Sequence, residues 1–227
     1  MEPAKHTPGL ENLPSFPRAT EIPFPAFLNR YEGKSCTIVG RGPTEFDYAR
    51  LGDTDDPVFF INDAICLENR ARGDTFFFAH DPQLLPWLDG NIKSTAVLPI
   101  DGKMFRRSPG ATFNHAGQIV FYHWREEKKE ALLLMPREQI AQLKQLYTHT
   151  GTIHSVLHFI WFCGFKKVTF IGCDGITARG YDPRLANVSG SSASPTYPAI
   201  LRAQKLLTML FGLEAVYVRT PEENAER

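Results

Sequence analysis

The sequence predicts an α/β fold, an open and mostly parallel sheet flanked by helices in a Rossmann-like plan, and three observations predict it. Short apolar runs bounded by turn residues do not alternate polar with apolar, as parallel strands covered on both faces require. Longer segments carry the helical period, and strand-like and helix-like segments take turns along the chain. With 227 residues, 43% of them hydrophobic, the chain is long enough for one sizeable core.

The elements follow in order. Residues 1–33 hold Pro3, Pro8, Pro14, Pro17, Pro23 and Pro25, which remove backbone donors and predict an extended arm pinned by Phe16, Phe24 and Phe27. Residues 34–227 are expected to form a single α/β nucleotide-binding domain. Its first strands are Cys36 to Val39, Val58 to Ile61, Thr75 to Phe78 and Thr95 to Leu98. Pro136 to Tyr147 places Ile140, Leu143, Leu146 and Tyr147 on one side of an amphipathic helix, with Pro136 in its first turn. Ile153 to Cys163 is apolar almost all round and stops at Gly164, which predicts a buried helix leading into the strand Val168 to Ile171. A helix from Tyr197 to Phe211, stopped by Gly212, then feeds a last strand at Ala215 to Val218. Between them, Gly175 to Ser194 is a long polar stretch of the kind that serves as a binding loop or lid.

Composition narrows the function. Lys+Arg and Asp+Glu are equal at 25 each, so no net field draws the chain to nucleic acid or to an anionic membrane. The opening residues lack a basic and apolar leader, and no apolar run is long enough for a transmembrane segment, so a cytoplasmic protein is expected. Cys36, Cys66, Cys163 and Cys173 form no Cys-x-x-Cys pair, and their mostly apolar surroundings predict packed thiols.

In open α/β sheets ligands bind outside the carboxyl ends of the strands, so the residues after each strand are the candidates. After the first comes Gly40-Arg41-Gly42-Pro43-Thr44, whose glycines permit close approach and whose following amides suit a phosphate or sugar hydroxyl. Glu45 replaces the third glycine of a dinucleotide fingerprint, and Asn62 stands where a ribose-binding acid would follow the second strand. Both argue for a mononucleotide. An amide such as that of Asn62 both donates and accepts, which suits reading a base or ribose. His80-Asp81 follows the third strand, with Asp81 also suited to capping the next helix, and Thr150-Gly151-Thr152 opens the buried helix at the same edge. Asp174 ends the late strand as a ligand contact or base, and Arg179, Tyr181, Asp182 and Arg184 downstream are groups that stabilise charge on a departing phosphate. His154 and His158 have the spacing of a helical metal pair, but Ser155 replaces the glutamate of His-Glu-x-x-His, so packed histidines are expected and no metal site is assigned.

Taken together, the Gly40-Arg41-Gly42-Pro43 turn, Ile61-Asn62-Asp63-Ala64, Thr150-Gly151-Thr152-Ile153 and the run Gly164 through Asp174 resemble a known superfamily. It holds the bacterial CMP-sugar-dependent sialyltransferases, Kdo transferases and 6-hydroxymethylpterin diphosphokinase-like proteins. The sialyltransferase branch implies a metal-independent, inverting transfer of a CMP-activated sugar to a hydroxyl on a glycan acceptor, with no cofactor. It also implies nucleotide contacts at Gly40, Arg41, Gly42, Pro43, Thr44, Asn62, Thr150, Gly151 and Thr152, and phosphate stabilisation by Tyr181, to which the loop's own chemistry adds Arg179. That branch has its histidine base beyond the late strand, where this chain has no histidine after His158, so Asp174, His80 and Tyr181 are the catalytic candidates, with Asp182 a further choice of base. The diphosphokinase branch implies ATP and Mg²⁺ instead, with Asp63, Asp81 and Asp174 converging. A binding module without catalysis is the third reading.

Overall fold

The computed structural model describes residues 14–42, 46–90, 92–100, 105, 110–124, 129–149, 151–173 and 197–218. Eight strands form one sheet: β1 (Thr20–Glu21), β2 (Ser35–Val39), β3 (Val58–Ile61), β4 (Thr75–Phe78), β5 (Thr95–Pro99), β6 (Gln118–Tyr122), β7 (Lys167–Ile171) and β8 (Glu214–Tyr217). Their order across the sheet is β1-β6-β5-β4-β3-β2-β7-β8. Every pairing is parallel, so the expected open α/β sheet is present and wholly parallel.

Parallel strands bury both faces, and the residues divide by the two-residue period. Ile38, Phe59, Phe76, Phe78, Val97, Val120, Val168 and Phe170 point into one core. Val39, Val58, Phe60, Phe77, Ala96, Leu98, Ile119 and Ile171 point into the other. Five α-helices are described: α1 (Leu85–Leu88), α2 (Lys129–Leu132), α3 (Arg137–Leu143), α4 (Thr152–Phe162) and α5 (Tyr197–Leu210). The first core is closed by α4, whose side chains from Thr152 to Ile160 are buried without a break, as its all-round apolar sequence requires. The second is closed mainly by 3₁₀ turns at Tyr48–Gly52, Asn62–Arg70 and Pro82–Leu84 rather than by long α-helices.

Three expectations need correction. The helix expected from Pro136 to Tyr147 ends at Leu143, where Lys144 turns left-handed at φ 50°. Gln145 bridges His123 and the Lys144 carbonyl accepts from the His123 amide, so tertiary pairing ends the helix and leads Leu146 and Tyr147 into the core as non-helical chain. Strand β6 was not expected, although Ile119 to Tyr122 is a four-residue apolar run of the same kind as the others. The proline-rich segment is not simply extended: within it Phe24–Phe27 forms a 3₁₀ turn, and Thr20–Glu21 pairs with β6 as the sheet's edge. Its anchors act as expected, with Phe24 stacked on Phe162 at 4.6 Å and Phe27 against Phe159 at 5.4 Å.

Candidate functional site

The strand order locates the crevice. From β2 the chain steps outward through β3, β4, β5 and β6, then returns to the other side of β2 as β7. The connection after β2 covers one face through Tyr48 and Leu51, and the connection after β7 covers the other through Leu207 on α5 and Phe211 just after it. Two connections leaving for opposite faces open a gap between the carboxyl ends of β2 and β7, the usual ligand position in open α/β sheets.

Gly40-Arg41-Gly42 and Gly172-Cys173 line that gap. A Cβ on Gly40 would lie 2.5 Å from the Gly172 carbonyl oxygen and 2.7 Å from Cys173 Sγ, so the two chain ends meet more closely than any side chain allows. Gly172 itself turns left-handed at φ 62°. The amides of Gly40 and Gly42 donate to the carbonyls of Ile171 and Gly172 at 2.8 and 2.7 Å, so both are committed to β7. These two N–H groups are therefore spent on the β7 end of the junction. Gly40→Ala is expected to cost about 3 kcal/mol, read as a lower urea midpoint at unchanged slope. An unchanged midpoint would show that the junction relaxes freely.

Arg41 is held from the next strand. Its Nη1 lies 2.8 Å from Asp63 Oδ2, with the side chains 8% and 3% exposed. Trp87 Nε1 donates to the other oxygen, Asp63 Oδ1, at 3.4 Å. Asn62, directly after β3, adopts φ 56°, a left-handed conformation that asparagine tolerates better than most residues. Its Oδ1 is buried and has no hydrogen-bond partner among the described residues. A backbone in a sparsely populated region carrying an unsatisfied buried acceptor is a costly arrangement, typical of a place built for a ligand.

Further along the same edge lies a tier of rings. His80, two residues beyond β4, has its Nε2 2.6 Å from the hydroxyl of Tyr122 at the end of β6. The Trp124 ring lies 4.8 Å from the His80 ring at a 31° tilt. His154, on the first turn of α4, is wholly buried, sets its Nε2 3.3 Å from the Ile200 carbonyl and stacks with exposed His149 at 6.1 Å. Burial pushes His80 down to about 3, with repulsion from His154 adding to it. Burial likewise takes His154 down to about 4, against the raising effect of the Ile200 contact. Both imidazoles are therefore neutral near pH 7.

His158 is packed as the sequence suggests: its Nδ1 accepts from the Tyr147 amide at 2.7 Å, and Trp161 and Phe211 stack on its ring. Burial raises the thiols of Cys36 and Cys163 far above their usual range, which makes them packing groups rather than nucleophiles. Gly151 stands at the N-cap of α4 without a side-chain cap, and Thr152 begins the helix. Asp81 makes no side-chain cap bond to the turn it precedes. Of the sequence-derived candidates, Gly40, Arg41, Gly42 and Asn62 lie at the adjoining ends of β2 and β3, His80 lies in the ring tier, and Gly151 and Thr152 open α4. Pro43, Thr44, Thr150, Asp174, Arg179, Tyr181 and Asp182, with the Gly175 to Ser194 loop, lie outside the described residues. Sequence reasoning did not find Tyr122 and Trp124. The signal was present in Ile119 to Tyr122, a strand whose carboxyl end carries them.

No protein-family model matches the chain, nor does any curated protein sequence. Among solved structures, a MAf glycosyltransferase from Magnetospirillum magneticum AMB-1 is similar with a TM-score of 0.50 and 15% identity, over 90% of this chain and 40% of that one. The chain thus spans about 40% of the length of that protein. A sialyltransferase CST-II structure in complex with CMP has a TM-score of 0.48 and 12% identity, over 84% of each chain. An alpha-2,3/8-sialyltransferase CstII structure has a TM-score of 0.42 and 12% identity, again over 84% of each. The MAf likeness shows a shared fold. No helix among the described residues is long and apolar enough to cross a membrane.

Proposed function

We propose that the protein is a glycosyltransferase-like enzyme that takes a nucleotide-activated sugar, with CMP as the nucleotide and a hydroxyl on a glycan as acceptor. The observation that carries this reading is the buried Arg41–Asp63 pair beside Asn62 at the switch point, where the Asn62 amide oxygen has no partner among the described residues. The fold shared with a glycosyltransferase agrees with it. The choice of CMP rests on the resemblance of the motifs to CMP-sugar transferases. In this reading Arg41 meets a phosphate or a base carbonyl, and Asn62 Oδ1 accepts from the base amino group or a ribose hydroxyl.

The transfer has a simple balance. The acceptor hydroxyl gives its proton to a base and forms a bond to the anomeric carbon, while the bond from that carbon to the phosphate oxygen breaks and CMP leaves with the electron pair. Asp174, next in sequence after the Gly172-Cys173 junction, is the proposed base, and Arg179 and Tyr181 are the proposed stabilisers of the departing phosphate. No cofactor takes part. Asp63 is already paired with Arg41, which disfavours its use as a Mg²⁺ ligand in the diphosphokinase alternative.

Calorimetric titration with CMP, with and without Mg²⁺, tests the nucleotide. Asn62→Gly keeps the left-handed backbone and removes only the amide, so CMP affinity is expected to fall about tenfold. Equal affinity in the variant would remove Asn62 from the site. For the chemistry, Asp174→Asn is expected to abolish donor turnover while CMP still binds, and retained turnover would reassign the base.

A further inference from the structure

At the amino edge of the sheet, opposite the crevice, lies a cavity of about 240 Å³. Thr95 and Gln118, the first residues of β5 and β6, line it together with Asp74 and Lys93, from the connections before β4 and β5, and with Arg30 and Tyr31 from the proline-rich segment. Strands of this length put about 15 Å between this edge and Asn62 beyond β3, so a small ligand here is not in the crevice.

The polar groups of the cavity are unevenly used. Tyr31 donates its hydroxyl to Asp74 Oδ2 at 2.5 Å; burial, with that bond next, raises the phenol above its usual range and keeps it a donor. Thr95 Oγ1 donates to Gln118 Oε1 at 3.2 Å, which orients the amide and leaves its Nε2 to donate elsewhere. The Arg30 guanidinium stands 5.1 Å from the centre of the Phe27 ring and 5.6 Å from that of Tyr31, so two aromatic faces restrain it. Neither Arg30 nor Lys93 forms an ion pair among the described residues, with Asp74 or any other carboxylate. Two cations therefore share the cavity with one carboxylate, which a neutral phenol already engages. Like charges gathered in this way repel each other, and a bound anion is attracted to both.

The donors also have a chemical bias. A guanidinium fork, an ammonium and an amide N–H suit an oxyanion with several acceptor oxygens, phosphate above all. Asp74 Oδ1 has no partner among the described residues, and it calls for a donor on the same ligand. Bare phosphate leaves that oxygen facing like charge, whereas a molecule with both a phosphate and a hydroxyl satisfies both sides. The volume lies below the roughly 300–1,000 Å³ of sites for larger ligands, which limits the organic body to a small one.

We propose that this cavity binds a small phosphate monoester that also carries hydroxyl groups, with Arg30, Lys93 and Gln118 on the phosphate and Asp74 on a hydroxyl. It is a second ligand site, and it stands independently of the nucleotide reading.

Inorganic phosphate, glycerol 3-phosphate and glycerol are titrated into the ¹⁵N-labelled full chain with and without excess CMP. The amide signals of Asp74, Thr95 and Gln118 are followed beside those of Gly40 and Asn62. Glycerol 3-phosphate is expected to move the first group with CMP present, at about a tenth of the concentration that inorganic phosphate needs, and glycerol to move none. Arg30 and Lys93 are exposed, so Arg30→Gln and Lys93→Gln keep the fold, and each is expected to weaken glycerol 3-phosphate about tenfold. Asp74→Asn keeps an acceptor for Tyr31 and removes the repelling charge, so inorganic phosphate is expected to bind it tighter than wild type. Signals that move only at Gly40 and Asn62 overturn the proposal, as does unchanged affinity in both cation variants. Equal affinity for phosphate and its glycerol ester overturns the hydroxyl contact at Asp74.

Discussion

Acidification from neutrality to about pH 5 is expected to lower the unfolding free energy by several kcal/mol, through buried histidines alone. His80 and His158 are fully buried, and burial takes each down to about 3 from the ordinary value of 6.5. The folded-state value is depressed, so below pH 6.5 the unfolded chain binds protons that the folded chain refuses. Stability is complete above about 6.5 and falls as pH drops toward about 3. Each fully buried group contributes a slope of about 1.4 kcal/mol per pH unit, so the two together approach 3 kcal/mol per unit. Against a typical stability of about 5–15 kcal/mol, that brings unfolding within reach of mild acid. Geometry gives an independent reason at His158: its Nδ1 accepts from the Tyr147 amide, and protonation would set two donors face to face. Urea midpoints measured between neutrality and about pH 5 check the slope. His158→Asn keeps an acceptor for Tyr147 without a titrating group, and because His80 and His154 still titrate its slope is expected to fall to about two-thirds that of wild type. A slope unchanged in the variant would place the acid sensitivity elsewhere.

The fold was legible where a single local signal decided the structure. Strands β2, β3, β4, β5 and β7 are apolar runs buried on both faces, and α4 is apolar almost all round because nearly all of it is buried. Helix α3 was misjudged at its end because Lys144 and Gln145 answer to His123, a partner distant in sequence that helical periodicity does not register. The 3₁₀ turns that close the second core also left no periodic trace. At the site, topology alone pointed to the strand ends, and Gly40 is a glycine because the β7 end lies against it. What sequence does not carry is pairing between ends: Arg41 with Asp63 just past the neighbouring strand, and His80 with Tyr122 two strands away.

Asp63→Ala is expected to be the most damaging of the single substitutions near the crevice. It deprives Arg41 of a carboxylate at 2.8 Å in a setting where that side chain is only 8% exposed, and breaking a buried pair from one side costs about 3–5 kcal/mol. Most of that cost is the penalty of a cation left in low dielectric, not the worth of the attraction itself. Replacing both partners with apolar residues of similar volume should therefore recover much of the loss. Arg41→Met with Asp63→Leu is expected to unfold in urea nearer to wild type than Asp63→Ala does. Function should part from stability here, since the double variant lacks the cation proposed to meet the nucleotide. CMP affinity is expected to be lost in the double variant although its fold is restored, with calorimetry reporting the first and urea unfolding the second. If Asp63→Ala costs less than about 1 kcal/mol, the pair is screened like a surface bridge and its claim on the site weakens. If the double variant is stable and still binds CMP, Arg41 serves packing alone, and the nucleotide must be held by Asn62 without it.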